Sequence, residues 1–187
     1  MVWFGSSGAY RRILGVPGLQ LTSVSYVVLG LVAEGAMTPY DMKQKAARSV
    51  GYFWNFPHSQ LYAEPARLAA LGLLAEKRES VGRRRRVYTL TPAGREALDS
   101  WLREPTSEQP QIRDTGLLKL FFGEGMSPEE VSVLARAQEE AHQARLAVYE
   151  AKEREIDHPH HAATLRAGLL LERLLVDFWR QVGATPP

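Results

Sequence analysis

The spacing of apolar residues divides the chain into a series of helices and one pair of strands. Val24, Val27, Val28, Leu31 and Val32 make a wide apolar face over residues 22–34. Thr22 or Ser23 caps that helix and Gly35 ends it. Thr38-Pro39 sets a capping hydroxyl before a proline at the first helical position and opens a second helix to about residue 49. Residues 51–57, Gly-Tyr-Phe-Trp-Asn-Phe-Pro, form an aromatic turn whose rings are expected mainly in the core. A third helix follows over residues 57–71 and runs into Gly72. Two strand-like runs, 73–81 and 85–90, then flank a turn of Gly82 and Arg83 to Arg86. Thr91-Pro92 repeats the cap-and-proline device and starts a helix to about residue 103.

The two prolines of residues 105–110 mark a polar linker and a domain boundary. A short apolar helix covers residues 114–122. Ser127-Pro128-Glu129-Glu130 combines a serine cap, a proline and two acids at the positive end of the helix dipole. It opens a long helix to about residue 156. Along it Leu134, Ala137, Ala141, Ala144, Val148 and Ala151 step by three and four, a seam for close helix pairing. Residues 158–161 read as a break. The last helix, 162–182, carries Leu165, Leu169 to Leu171, Leu174, Leu175, Phe178, Trp179 and Val182. That is more apolar surface than one partner helix covers, so it is expected inside an assembly. Residues 1–20 are broken by glycines and Pro17 and read as a weakly structured arm.

These elements predict a mainly α fold with a small β-hairpin wing. A winged helix-turn-helix occupies residues 23–104, after an N-terminal arm at 1–22. A linker at 105–113 leads to a C-terminal helical dimerisation domain at 114–187.

Charge sharpens that division. The 187 residues carry a formal net charge of +2. Residues 1–104 hold 14 Lys/Arg against 8 Asp/Glu, a balance of +6, and residues 105–187 hold 9 against 13, a balance of −4. A basic front half on an acidic back half suits a polyanion-facing module on a solubilising or oligomerising one. The chain has no cysteine, which excludes a disulfide framework and thiolate metal sites. Its apolar stretches are too short or too interrupted to span a bilayer, and its start lacks the order of a signal peptide. A cytoplasmic protein with no membrane partner is the expectation.

The candidate chemistry lies in residues 57–90. A helix that can enter a groove, followed by a hairpin with a cationic tip, is the pattern of a winged helix-turn-helix. Arg83, Arg84, Arg85 and Arg86 place guanidiniums where duplex phosphates would lie, although a basic turn can also be a solvated one. His58, Ser59, Gln60 and Tyr62 open the third helix. Ser, Gln and Tyr can donate to phosphates, and Gln can read adenine bidentately. The alternatives are that Ser59 only caps the helix and that Tyr62 packs on the wing. Lys43 on the second helix can clamp the backbone or be a plain surface lysine. His158, His160 and His161 invite a metal reading, but a helix-breaking polar turn explains them better, and no metal or other cofactor is expected. No phosphate loop, nucleophile elbow or zinc-protease helix is present, so no enzyme is expected.

Several of these runs are recognisable together. Leu29-Gly-Leu-Val, Pro39-Tyr-Asp-Met-Lys43, and Gly51-Tyr-Phe-Trp-Asn-Phe-Pro-His-Ser-Gln-Leu-Tyr62 strongly resemble the PadR family of transcriptional regulators. So do Arg67-Leu-Ala-Ala-Leu-Gly-Leu-Leu74, Val87-Tyr-Thr-Leu-Thr-Pro-Ala-Gly-Arg95 and Arg113-Asp-Thr-Gly-Leu-Leu-Lys-Leu-Phe-Phe-Gly123. The helical C-terminal region resembles the family's long-tailed branch. The resemblance implies a homodimeric repressor that binds a palindromic, double-stranded operator and is released by a small molecule, which is a phenolic acid for the name-giving members. It also implies an aromatic effector stacking on Trp101, with Phe121 and Phe122 beyond the linker, between the two domains or at the dimer seam. The plainer alternative is that these three rings pack the domain junction. The chain departs from the family at Pro39, where a glycine is common, and at Pro65, where an aliphatic residue is common. Pro65 is expected to kink the third helix by removing the donor to the Leu61 carbonyl. The rival from another class is a helical adapter whose basic wing contacts an acidic protein partner.

Overall fold

The computed structural model describes residues 11–12, 20–54, 56–57, 59–80 and 84–187. The chain divides into two compact units between Ser107 and Glu108.

The first unit is organised around α1 (Ser23–Ala33), which is apolar nearly all round and buried as a result. Its start is fixed by a capping box: Thr22 Oγ1 accepts the Ser25 N–H at 3.3 Å and Ser25 Oγ accepts the Thr22 N–H at 2.8 Å. Around α1 pack α2 (Pro39–Ala47), α3 (Gln60–Ala70) and α4 (Pro92–Arg103). In α2, Thr38 and Asp41 form a second capping box, and Met42 and Ala46, one turn apart, are its buried residues. The Thr38 hydroxyl and N–H both donate to Asp41 Oδ2, at 2.7 and 3.0 Å. These bonds hold the Asp41 carboxyl below the usual carboxylate range.

The hairpin pairs β3 (Leu74–Arg78) with β4 (Arg86–Leu90), in the register Leu74↔Leu90, Glu76↔Tyr88 and Arg78↔Arg86. Both strands are shorter than the pattern predicts, and of their residues only Leu74 and Tyr88 are buried in the core. An isolated bridge between Met37 and Tyr88 ties the hairpin to the segment before α2. Gly72, at φ +74°, makes the sharp exit from α3, a conformation that side chains with a Cβ avoid.

Two expectations for this unit need correction. Arg11–Arg12 (β1) pairs antiparallel with Gln20–Leu21 (β2), so the arm is not wholly irregular. Leu21 is the reason: its apolar side chain is buried in the core and anchors the second of these strands. The aromatic turn holds only Phe56 in the core, while Tyr52, Phe53 and Trp54 are exposed to different degrees. A short 3-10 turn at Val50–Tyr52 directs these rings outward. Helix α3 runs on through Pro65. The ring is fully buried, so its apolar contacts offset the missing donor.

The second unit contains α5 (Thr115–Phe121), α6 (Pro128–Glu153) and α7 (Pro159–Ala184). Helices α6 and α7 pack along one another. Val131, Ala135 and Tyr149 of α6 are buried, as are Leu169, Val176 and Trp179 of α7. Ala137, Ala141, Ala144, Val148 and Ala151 remain exposed, so the predicted seam of α6 is not the face that meets α7. Residues 158–161 are not a break: His158 occupies the cap position and Pro159 is the first helical residue. The proline suits that place because no intrahelical bond needs its N–H. Glu172 is buried within this unit and accepts a 2.6 Å hydrogen bond from His142 Nδ1, with Arg145 Nη1 at 3.7 Å.

Candidate nucleic-acid interface

The opening turn of α3 carries the groups suited to reading a duplex. Leu61, Pro65 and Leu68 bury one face of the helix against the core. That leaves Gln60 and Tyr62 exposed on the other. Tyr62 is 51% exposed, so it does not pack flat against the wing. Ser59 stands at the cap position, yet its hydroxyl makes no cap bond. The alternative of a purely capping Ser59 therefore fails, and its hydroxyl is exposed. His58 lies outside the described residues. Lys43 is half-buried on α2, which packs on α3.

A polar latch holds α3 in place, and sequence reasoning does not find it. Ser25 is fully buried on α1. Its hydroxyl donates to Glu64 Oε1 at 2.6 Å and accepts from Arg67 Nη2 at 3.0 Å. Arg67 also donates to both Glu64 oxygens, at 2.9 and 2.6 Å, which draws its pKa further up. The latch ties α3 to α1 one turn beyond Gln60 and Tyr62. Glu64→Ala removes the acceptor of the buried Ser25 hydroxyl and the ion-pair partner of Arg67, and is expected to cost about 1–3 kcal/mol of stability. Chemical denaturation of this variant and of Glu64→Gln checks this; an unchanged midpoint in Glu64→Ala would mean that the latch contributes nothing.

The wing is a tied hairpin rather than a free basic loop. Val81, Gly82 and Arg83 lie outside the described residues. Arg84 has φ +49°, the one positive value among described non-glycine residues. Such backbone favours Gly or Asn and is uncommon for an arginine. Arg85 forks onto Glu79, with Nε and Nη2 each 3.0 Å from a carboxylate oxygen. The Glu79 N–H donates to the Arg85 carbonyl at 3.0 Å and closes the ladder. Arg86 is the first residue of β4, within the strand-like run of residues 85–90. Its Nε lies 3.6 Å from Glu76 Oε1, which also accepts from Arg78 Nε at 3.3 Å. Tyr88 donates to the other Glu76 oxygen at 3.0 Å. Desolvation pushes the Glu76 carboxyl up, but the bonds from Tyr88 and Arg78 and the charge of Arg86 outweigh it, leaving it below its ordinary value.

The aromatic residues assigned to an effector fall in two places. Trp101 on α4 stacks on Tyr26 of α1, ring centroids 4.4 Å apart and planes 9° from parallel, and stays 40% exposed. In the second unit, Phe121 and Phe122 meet edge to face at 5.0 Å and are 80% and 72% exposed. Among the described residues no cluster of three or more His, Asp or Glu could hold a metal ion, and no helix is long and apolar enough to cross a membrane.

This architecture has known counterparts. Residues 28–100 match the model of the transcriptional regulator PadR-like family, and residues 112–185 match that of the virulence activator alpha C-terminal region. The negative transcriptional regulator PadR of Bacillus subtilis (strain 168) is 30% identical over 125 residues, 66% of this chain and 69% of that protein. The crystal structure of B. subtilis PadR in complex with operator DNA superposes with a TM-score of 0.77 at 25% identity, covering 86% of this chain and 96% of that one. The B. subtilis PadR structure in complex with p-coumaric acid gives a TM-score of 0.72 at 25% identity, covering 86% and 93%. Winged helix, hairpin and helical tail thus match in order and in sequence, and the chain belongs to the PadR-like family of transcriptional regulators.

Proposed function

We propose that the chain is a homodimeric repressor that binds a palindromic operator and is released by a small aromatic ligand. The exposed opening turn of α3, locked by the Ser25–Glu64–Arg67 latch, carries this reading. In it Gln60 reads base edges, while Ser59, Tyr62, Lys43 and the wing arginines Arg83 to Arg86 contact phosphates. His58, at the entry to α3, is a further phosphate contact. One relative supports the reading: PadR of B. subtilis is a negative transcriptional regulator and has been crystallised with operator DNA and with p-coumaric acid. The protein works in the cytoplasm and has no catalytic role, as suits a relative of bacterial transcriptional regulators.

The second copy docks through the C-terminal unit. Leu170, Leu171 and Leu174 of α7 are exposed in the single chain, and so are Ala137, Ala141 and Ala144 of α6. Two apolar faces of this kind are covered when a dimer forms. A salt-titrated gel shift on a duplex from upstream of the protein's own gene tests the reading. Affinity should fall steeply and linearly in log-log form as salt rises. A flat response would favour the adapter with an acidic protein partner instead.

The effector stacks on the open face of Trp101, opposite Tyr26. It can release DNA only by binding the DNA-incompetent state more tightly. A phenolic acid should quench Trp101 fluorescence, a signal assigned with Trp101→Phe, and should weaken DNA binding at the same concentrations. Equal potency on Trp101→Ala would remove Trp101 from the site.

A further inference from the structure

We propose that Glu79 and Glu76 are carboxylate guards of the wing, holding Arg85, Arg86 and Arg78 in ion pairs that a phosphate must displace, and so limiting the grip of the protein on non-specific DNA. The inference rests on the reading of the wing as a DNA-contacting element. The geometry carries it. Arg85 presents its fork to Glu79 with both bonds at 3.0 Å, the same bidentate arrangement it would offer a phosphate. One guanidinium edge cannot serve both acceptors. Asp41 adds a second negative charge that attracts Arg85 from the start of α2.

Glu76 does a related job across the ladder. Arg78 and Arg86 are directly opposed in register, and like charges in that position repel. Glu76 Oε1 lies 3.3 Å from Arg78 Nε and 3.6 Å from Arg86 Nε, between the two cations. Tyr88 anchors the carboxylate from the core side at 3.0 Å. Among the described wing arginines this leaves Arg84, at the strained tip position, as the one with no carboxylate partner. Non-specific affinity is set by how many phosphates the cations neutralise. The guards therefore hold that number below what the arginine count suggests. Exposed ion pairs are weak enough that a well-placed phosphate still breaks them.

A random-sequence duplex is the probe, titrated with salt against full-length protein. Glu79→Gln should tighten its binding by about three- to tenfold at low salt and steepen the log-log slope by about 0.9, one added phosphate contact. Adding Arg85→Ala to Glu79→Gln should return the slope to the wild-type value. Glu96→Gln makes the same change in net charge on α4 and should leave the slope unaltered. The proposal is overturned if Glu79→Gln binds more weakly, which would make Glu79 a structural brace only. It is equally overturned if the slope is unchanged or if Glu96→Gln steepens it as much. Wild-type protein with no salt-dependent binding to the duplex would instead overturn the DNA-binding reading underneath.

Discussion

Gly94→Ala is expected to unfold the first unit at temperatures where the wild type is stable. Gly94 is buried at the start of α4, over the end of the hairpin. A Cβ there would lie 2.0 Å from the Leu73 carbonyl oxygen and 2.9 Å from Leu90 Cδ1. The carbonyl cannot step aside cheaply. It accepts the Thr91 N–H at 3.2 Å and the Thr91 hydroxyl at 3.0 Å, and that hydroxyl also accepts the Gly94 N–H at 3.0 Å. Moving α4 outward breaks this cap and opens the contact of α4 with α1. We expect a loss of at least about 3 kcal/mol. Gly30→Ala is the matched control: no atom stands within 4 Å of its Cβ position in α1. There alanine is expected to stabilise by about 0.5–1 kcal/mol. Thermal melts of the two variants should therefore move in opposite directions. Two equal shifts would remove the close contact at Gly94 from the explanation.

The second large effect is on DNA. Changing Arg83 to Arg86 together to alanine should weaken binding to every duplex, by on the order of 10²-fold, and lower the salt slope by roughly two units. Arg85 and Arg86 should contribute less to that loss than Arg84, because they face Glu79 and Glu76. Gln60→Ala should behave differently. It should alter preference among duplexes, at a cost of about 1–3 kcal/mol on the preferred one, with little change in slope. If both variants change sequence preference alike, the division into positioning and reading residues is wrong.

The parts of the fold that were legible in the sequence share a local cause. A hydroxyl followed by proline announces α2, α4 and α6, and the observed caps at Thr38, Thr91 and Ser127 use those residues. The hairpin is equally local, with its paired strands to either side of the turn. At His158-Pro159 the proline follows a histidine that makes no side-chain cap bond, and so the start of α7 reads as a break.

What escapes the sequence is long-range or two-sided. Ser25 and Glu64 stand 39 positions apart, and no periodicity links a serine in one helix to a carboxylate in another. The pair His142–Glu172 spans 30 positions, and Glu172 reads as a surface acid in an otherwise leucine-rich run. Tyr52, Phe53 and Trp54 look like core by residue type alone, yet the turn that carries them points outward. For the wing, composition counts four adjacent arginines, whereas the ladder register shows which of them already face a carboxylate.

Selection from a randomised duplex pool with the 187-residue chain asks for sequence recognition and two-fold symmetry at once. An inverted repeat should be enriched, with half-site centres about one helical turn apart, roughly 10 base pairs, or a multiple of that. A pool from which no sequence is enriched, with heparin competing as well as any duplex, would contradict sequence recognition.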